Sequence, residues 1–474
     1  MAHLAAANNL NHAPPQFWLN AALRVAAWIS PISLLSVIEL SPRKDSRMST
    51  VCHALADPID LAWCLIHKLS TWTEYYNWAA EFVQRECPTN DRRRRTRVIA
   101  TVFAGLDEIM GPGRNPRLSI LRAAAQLGAN DPKRFTVWHR TALELVDYRK
   151  HEVHFVLLVT ALYVLQLFAV MIPGFALVSV PSLGTSAAAL LVSWLVPIAL
   201  LNGRMGTFRS RRAFLDVMNR FADAENALAK DGTANNDITF RLRWAERVAY
   251  LDSLRQDPGI DIYRPWKARC VNRPHGESAI PPTAVMAVVP VVLSATASLI
   301  LSWVAVPDRL VYQQSLPLAL FAAWILSAFL SGIIYFHISR EYQWRVMLAK
   351  DVLVGVPIVF VIILSISGLT DKYDCQVMGG RPCGGDYFQV DGDLQHQGNE
   401  SRKITYASVL VSCLAFQLFF YAAVLRKCWM GLMVMQWSEE IRKEEFSLLE
   451  ENEGDNTTRL FRAWIRGLIS APSG

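Results

Sequence analysis

Charge is scarce in this sequence: only 19% of its 474 residues are Asp, Glu, Lys or Arg, against 52% in the broad hydrophobic class. A water-soluble chain of this length would fold as two or more domains and would need more charge to cover them. Between the ends of its six clearest apolar runs there is no Asp, Glu, Lys, Arg or His, only isolated amides such as Gln166 and Gln417 with scattered Ser and Thr. That absence argues against proton-coupled carriers, voltage sensors and rhomboid-like or zinc-dependent intramembrane enzymes, which need ionisable or ligating groups at depth. Cysteine is ordinary at 8 copies, which excludes a disulfide-dense secreted scaffold. Also missing are a Gly-rich phosphate loop, a Ser/His/Asp constellation and a paired-Cys metal motif, so no catalytic, cofactor-binding or metal residue is assigned.

Long apolar runs are what the chain does have. A helix needs roughly 20 residues to cross ~30 Å of hydrocarbon. Runs of about that length occupy 154–177, 184–201, 281–306, 310–336, 352–369 and 404–425. The third and fourth are joined only by Pro307-Asp308-Arg309 and read as a helical hairpin. A seventh run, 17–40, is interrupted by Arg24; it either spans with that side chain snorkelling to one interface or lies in the membrane surface. The expected fold class is all-α, a polytopic membrane helix bundle of six to seven spans with two helical cytosolic loop regions.

The Lys and Arg residues orient the spans. Segments 41–153, 202–280, 337–351 and the tail after Leu425 hold 42 of them, and the alternate segments hold 5. The short segments, which vote most strongly, agree with the long ones. The expected organisation is an N-terminal hydrophobic helix at 1–40, a cytosolic helical region at 41–153 and a transmembrane hairpin at 154–201. A second cytosolic helical region at 202–280 follows, then a four-span region at 281–425 with an exoplasmic loop at 370–403, and a cytosolic tail at 426–474. The net charge of +7 is thus sorted by side of the membrane, plasma membrane or endoplasmic reticulum, and points to no nucleic acid.

The exoplasmic loop carries Cys375 and Cys383 as a candidate disulfide, and Asn399-Glu400-Ser401 as a candidate N-glycosylation site. The other cysteines show no metal-ligand spacing, and Cys428, just past the last span, is a candidate for palmitoylation. Arg92, Arg93, Arg94 and Arg95, with Arg211 and Arg212, are candidate contacts for anionic lipid headgroups. The first four also suit an arginine-based retention signal or a solvated linker between helices. Residues 140–150 are expected to lead as an amphipathic helix into the second span. Prolines at 173, 197, 290, 317 and 357 either kink helices or break them as in transporters. Small residues recur every four positions at Ser294, Ser298 and Ser302 and at Ala319, Ala323, Ser327 and Ser331, a spacing that lets the hairpin helices pack closely.

The most patterned soluble segment follows the first run. Asp57 is placed to cap a helix with Pro58 at its first position, and Leu61, Leu65 and Leu69 line one face. His53, Asp57, Asp60, Cys64 and His67 would form a stripe of metal-type ligands on a continuous helix, but the cap and Pro58 interrupt that continuity. The segment His53-Ala54-x-x-Asp57-Pro58-Ile59-Asp60-x-x-Trp63-x-Leu65 resembles a stretch found in an uncharacterised family of multi-pass integral membrane proteins of filamentous fungi. The resemblance implies a fungal membrane protein with a hydrophobic N-terminal helix and several later spans, and it carries no catalytic residue with it.

Four functions remain open on the sequence. The first is a non-enzymatic accessory, scaffold or sensor whose partners are the bilayer, anionic headgroups and a cytosolic protein. The others are a transporter or channel for a small metabolite, a seven-span receptor, and a membrane-surface enzyme using His53, Asp57 or Asp60 at the headgroups. A first cytosolic loop of 41–153 is far longer than receptors of the seven-span class keep there.

Overall fold

The computed structural model describes residues 29, 31–36, 38, 47–86, 92–110, 132–150, 153–171, 189–208, several positions between 214 and 227, and 282–305, 312–367 and 392–436. The chain divides into two units, residues 1–435 and 436–474. Apart from Gln436, all described residues belong to the first.

Helices dominate the described residues. They are α1 (Arg47–Ala56), α2 (Pro58–Glu86), α3 (Arg92–Met110), α4 (Pro132–Asp147), α5 (Val153–Met171), α6 (Leu195–Met205), α7 (Pro282–Ala305), α8 (Tyr312–His337), α9 (Arg340–Ser367), α10 (Gly392–Lys427) and α11 (Trp429–Val434). A 3-10 turn, Val192–Trp194, leads into α6. The one strand pairing among the described residues is antiparallel and two residues long, β1 (Arg149–Lys150) with β2 (Thr207–Phe208). The architecture is therefore all-α. Stretches of α7, α8 and α10, namely Pro282–Trp303, Pro317–Ile334 and Ala407–Lys427, are long and apolar enough to cross a membrane. Two shorter apolar helices cover Val153–Phe168 and Ala189–Met205.

Helix α2 organises the interior. Leu61, Leu65 and Leu69 are buried, and Trp72, Ala79 and Val83 extend the same face at helical spacing. Trp63 Nε1 donates to Thr283 Oγ1 of α7 at 3.1 Å. Glycine allows α11 to approach on another side: a Cβ on Gly431 would stand 2.6 Å from the Leu69 carbonyl oxygen and 2.7 Å from the Thr73 nitrogen. Beyond α2 an aromatic chain links the α3–α4 layer, with Trp78 edge-on to Phe103 at 5.0 Å and Trp138 edge-on to Phe221 at 5.2 Å. Arg149 is buried and stacks on Trp72 at 4.8 Å. Its guanidinium donates to the carbonyls of Met205 and Gly206, both at 3.1 Å, so a cation closes the C-terminal end of α6.

Several boundaries differ from the sequence expectation. The helix expected at 140–150 starts at Pro132 and stops at Asp147, because Arg149 and Lys150 leave it to pair with β2. Arg92 to Arg95 are the first turn of α3 and not a linker; Thr96 Oγ1 bonds back to the Arg92 carbonyl at 2.7 Å. Helix α10 begins at Gly392, so the end of the expected 370–403 loop, Asn399 included, is helical backbone. Ser294, expected to serve close packing of the hairpin, also bonds outside it. Ser294 Oγ meets Ser193 Oγ at 2.9 Å and receives the Gln417 amide at 2.8 Å, bonds that tie α7 to the turn before α6 and to α10. Gln417 Nε2 also reaches the Pro290 carbonyl at 2.9 Å. Pro290, Pro317 and Pro357 all lie inside unbroken helices.

Candidate functional site: a buried ionic cluster

Helices α1 and α2 are nearly one helix. Asp57 N donates to the His53 carbonyl at 2.7 Å and Leu61 N to the Asp57 carbonyl at 3.1 Å, so the helical path continues across the junction. Pro58 takes the first position of α2, where its missing N–H is harmless, and Asp57 Oδ1 accepts from Asp60 N at 3.0 Å as an N-cap. The interruption expected from the cap and Pro58 therefore does not disperse the polar residues. His53, Asp57 and Asp60 converge, at 0%, 0% and 1% exposure.

Two residues about three turns into α9, Lys350 and Asp351, complete the group. His53 Nδ1 lies 3.0 Å from Asp351 Oδ2, and His53 Nε2 lies 3.3 Å from Asp60 Oδ2. Lys350 Nζ is 2.8 Å from Asp57 Oδ2 and 3.0 Å from Asp351 Oδ1. The same ammonium donates to Ser327 Oγ at 2.9 Å and Ser331 Oγ at 2.8 Å, and Ser331 in turn donates to Asp57 Oδ2 at 2.6 Å. Lys350 is 7% exposed and Asp351 is fully buried. Trp324 Nε1 donates to the Leu55 carbonyl at 2.8 Å, pinning the end of α1 to α8 beside the cluster.

Burial and pairing pull the titrations apart. Burial alone would lower the His53 imidazole, but the charge and hydrogen bond of Asp351, reinforced by Asp60, hold it at about 10 against an ordinary 6.5. Burial would also lower Lys350, and Asp57 and Asp351 outweigh it, so the ammonium is held above its ordinary range. Burial pushes Asp351 up, yet His53 and Lys350 prevail and keep it below the usual carboxylate range. Asp60 goes the other way: burial and then the Asp57 charge raise it, with His53 and Lys350 only partly opposing.

The apolar runs themselves hold no ionisable group between their ends, but the fold sets charged groups against one of them. Lys350 and Asp351 stand just before the apolar run at 352–369, so a search within the runs passes over them, yet Lys350 reaches Ser327 inside the Pro317–Ile334 stretch. At 1.5 Å per residue, about 10 Å of helix separates Ser327 from the end of that stretch. The sequence signal that could have found the site is a Lys-Asp pair directly abutting an apolar run. Ser327 and Ser331 were legible only as small residues.

The remaining predicted positions lie elsewhere. Cys64 and His67 are half-buried further along α2, outside the ionic group. Among the described residues no set of three His, Cys, Asp or Glu side chains is arranged to hold a metal ion. His53, Asp57 and Asp60, expected at a headgroup surface in the enzyme reading, are instead sealed inside. Arg94 Nη2 lies 3.3 Å from His139 Nε2 and Arg95 stacks over Phe135 at 4.8 Å, so both are engaged with α4, while Arg93 is exposed. Cys52, Cys64, Cys413 and Cys428 are free thiols. Cys428 is 3% exposed, buried where acylation would need it at the surface. Cys375, Cys383, Arg211 and Arg212 lie outside the described residues, and Asn399 is described as backbone only.

Compared with known protein families, curated proteins and solved structures, the chain matches none.

Proposed function

We propose that this chain is a multi-pass integral membrane protein of non-enzymatic kind, an accessory, scaffold or sensor. The observation that carries the reading is the closure of the ionic cluster. The ionic cluster found among the described residues is buried and bonded within itself, which suits a device that holds helices together and leaves a substrate no approach. Membrane residence has its own support. Large apolar side chains lie exposed on α5 (Phe155, Leu158, Leu165), α8 (Leu326, Phe329), α9 (Leu353, Val356, Phe360) and α10 (Phe416, Phe419), an arrangement suited to lipid and costly in water. The exposed apolar faces of α5 and α9 support counting them with the three long apolar helices as spans. With Ala189–Met205 that makes six, and the 17–40 run would make seven.

In this proposal 41–153, 202–280 and the C-terminal tail are cytosolic and 370–403 is exoplasmic, with the bilayer, anionic headgroups and a cytosolic protein as partners. The kinship with fungal multi-pass membrane proteins belongs to the same proposal. A glycosylation-mapping tag at residue 390 is then modified and one at residue 240 is not; the reverse pattern inverts the topology. Crosslinking and affinity purification from native membranes tests the scaffold reading, which expects a stable partner and unchanged metabolite fluxes in a deletion strain. A second reading, a transporter, draws on Lys350 lying against Ser327 and Ser331 of an apolar helix. Loss of uptake of a labelled metabolite on deletion would favour it.

A further inference from the structure

The ionic cluster does not balance by charge. Three carboxylates, Asp57, Asp60 and Asp351, face two cations, His53 and Lys350. Asp57 is supported as an anion by Lys350, the Ser331 hydroxyl and the Asp60 N–H. Asp351 is supported by His53 and Lys350. Asp60 has much less. It is 1% exposed, neither of its oxygens finds a well-formed hydrogen bond, and its ion-pair contact, His53 Nε2, stands off at 3.3 Å. With all five groups ionised, these residues would hold one net negative charge away from water, which burial strongly disfavours. One added proton removes it.

We infer that Asp60 is the proton-binding site of this cluster: packing α1 and the start of α2 against α8 and α9 takes up one proton on its carboxyl. When those helices part, the O–H bond breaks and the proton passes to water, leaving a solvated carboxylate. The charged and titratable groups around the site are few. The α1–α2 junction contributes Asp57, and α1 contributes His53, with Cys52 near Asp351. Helix α9 contributes Lys350 and Asp351, and the apolar stretches of α7 and α8 contain no charged residue. Among these described groups the carboxylates outnumber the cations by one. The ligand is thus the proton itself, and closure becomes up to about tenfold more favourable for each pH unit of acidification within the range where Asp60 titrates. The inference goes beyond the scaffold reading and stands whether or not a cytosolic partner exists.

Infrared spectroscopy of the intact chain in lipid nanodiscs tests it. At neutral pH the wild type should show the C=O stretch of a protonated carboxylic acid, shifted in D2O and lost on alkalisation in a one-proton step. The band should vanish in Asp60→Asn, which leaves the site neutral, and should persist with a displaced titration in Asp60→Glu. Thermal unfolding followed from pH 5 to 9 should lose stability less steeply with rising pH in Asp60→Asn than in the wild type. A wild type without the band overturns the inference whatever the variants do. A band unmoved in both variants, or an Asp60→Asn profile with the wild-type slope, overturns it as well.

Discussion

Replacing Lys350 by Met keeps much of the side-chain volume and removes one charge from the centre of the cluster. The ammonium lies 2.8 Å from Asp57 Oδ2 and 3.0 Å from Asp351 Oδ1, and it also bonds Ser327 and Ser331. At an effective dielectric of about 20 the two ionic contacts amount to about 6 and about 5.5 kcal/mol of gross attraction. Most of that is offset in the wild type by the desolvation of the ions, so the gross figure is not the effect of the substitution. What Lys350→Met adds is uncompensated negative charge in the interior, and removing one partner of a buried pair destabilises by about 3–5 kcal/mol. Equilibrium denaturation in mixed micelles measures this directly. Lys350→Met combined with Asp57→Asn should recover part of the loss, because the orphaned anion is gone, and the double-mutant cycle should show coupling above about 1 kcal/mol. A loss below about 1 kcal/mol in Lys350→Met, with no recovery in the double variant, would refute the claim that the cluster is dry and mutually dependent.

Two further outcomes follow from the geometry. Gly431→Ala drives a Cβ into the backbone of α2 at Leu69 and Thr73. It should cost about 1–3 kcal/mol and loosen α11 from α2, seen as faster amide exchange in both helices, whereas an unchanged protein would mean the contact is softer than drawn. The pH dependence of His53 has a definite sign. Its pKa is raised from 6.5 to about 10 in the fold, so its contribution is fully present below 6.5 and is lost as pH rises toward 10. His53→Gln should therefore flatten the alkaline loss of thermal stability between those values, and a variant that still loses stability as steeply as the wild type would contradict the pairing.

Much of the helical layout was legible because it follows from local rules. Leu61, Leu65 and Leu69 repeat at helical spacing and are buried, and the Asp57-Pro58 pair carries its own capping chemistry. Three of the six apolar runs contain helices long enough to cross a bilayer, since hydrophobic length is a property of the run itself. The candidate site was half visible. His53, Asp57 and Asp60 stood out together, but the expected break at Pro58 set them aside, because a proline at the first helical position forfeits no bond and lets the helix run on.

Other features exist only because distant segments meet. Lys350 and Asp351 are nearly 300 positions from Asp57 and His53, and no spacing rule links them. The serines of α7 and α8 share one sequence pattern, yet Ser294 joins an amide network with Gln417 while Ser331 bridges Lys350 and Asp57. Composition and periodicity determined that this chain makes apolar helical runs with the charge lying outside them, because those quantities are summed over neighbouring residues. Tertiary packing decided that five of those ionisable groups lie together out of water, because Coulomb energy and desolvation depend on distances that only the fold sets.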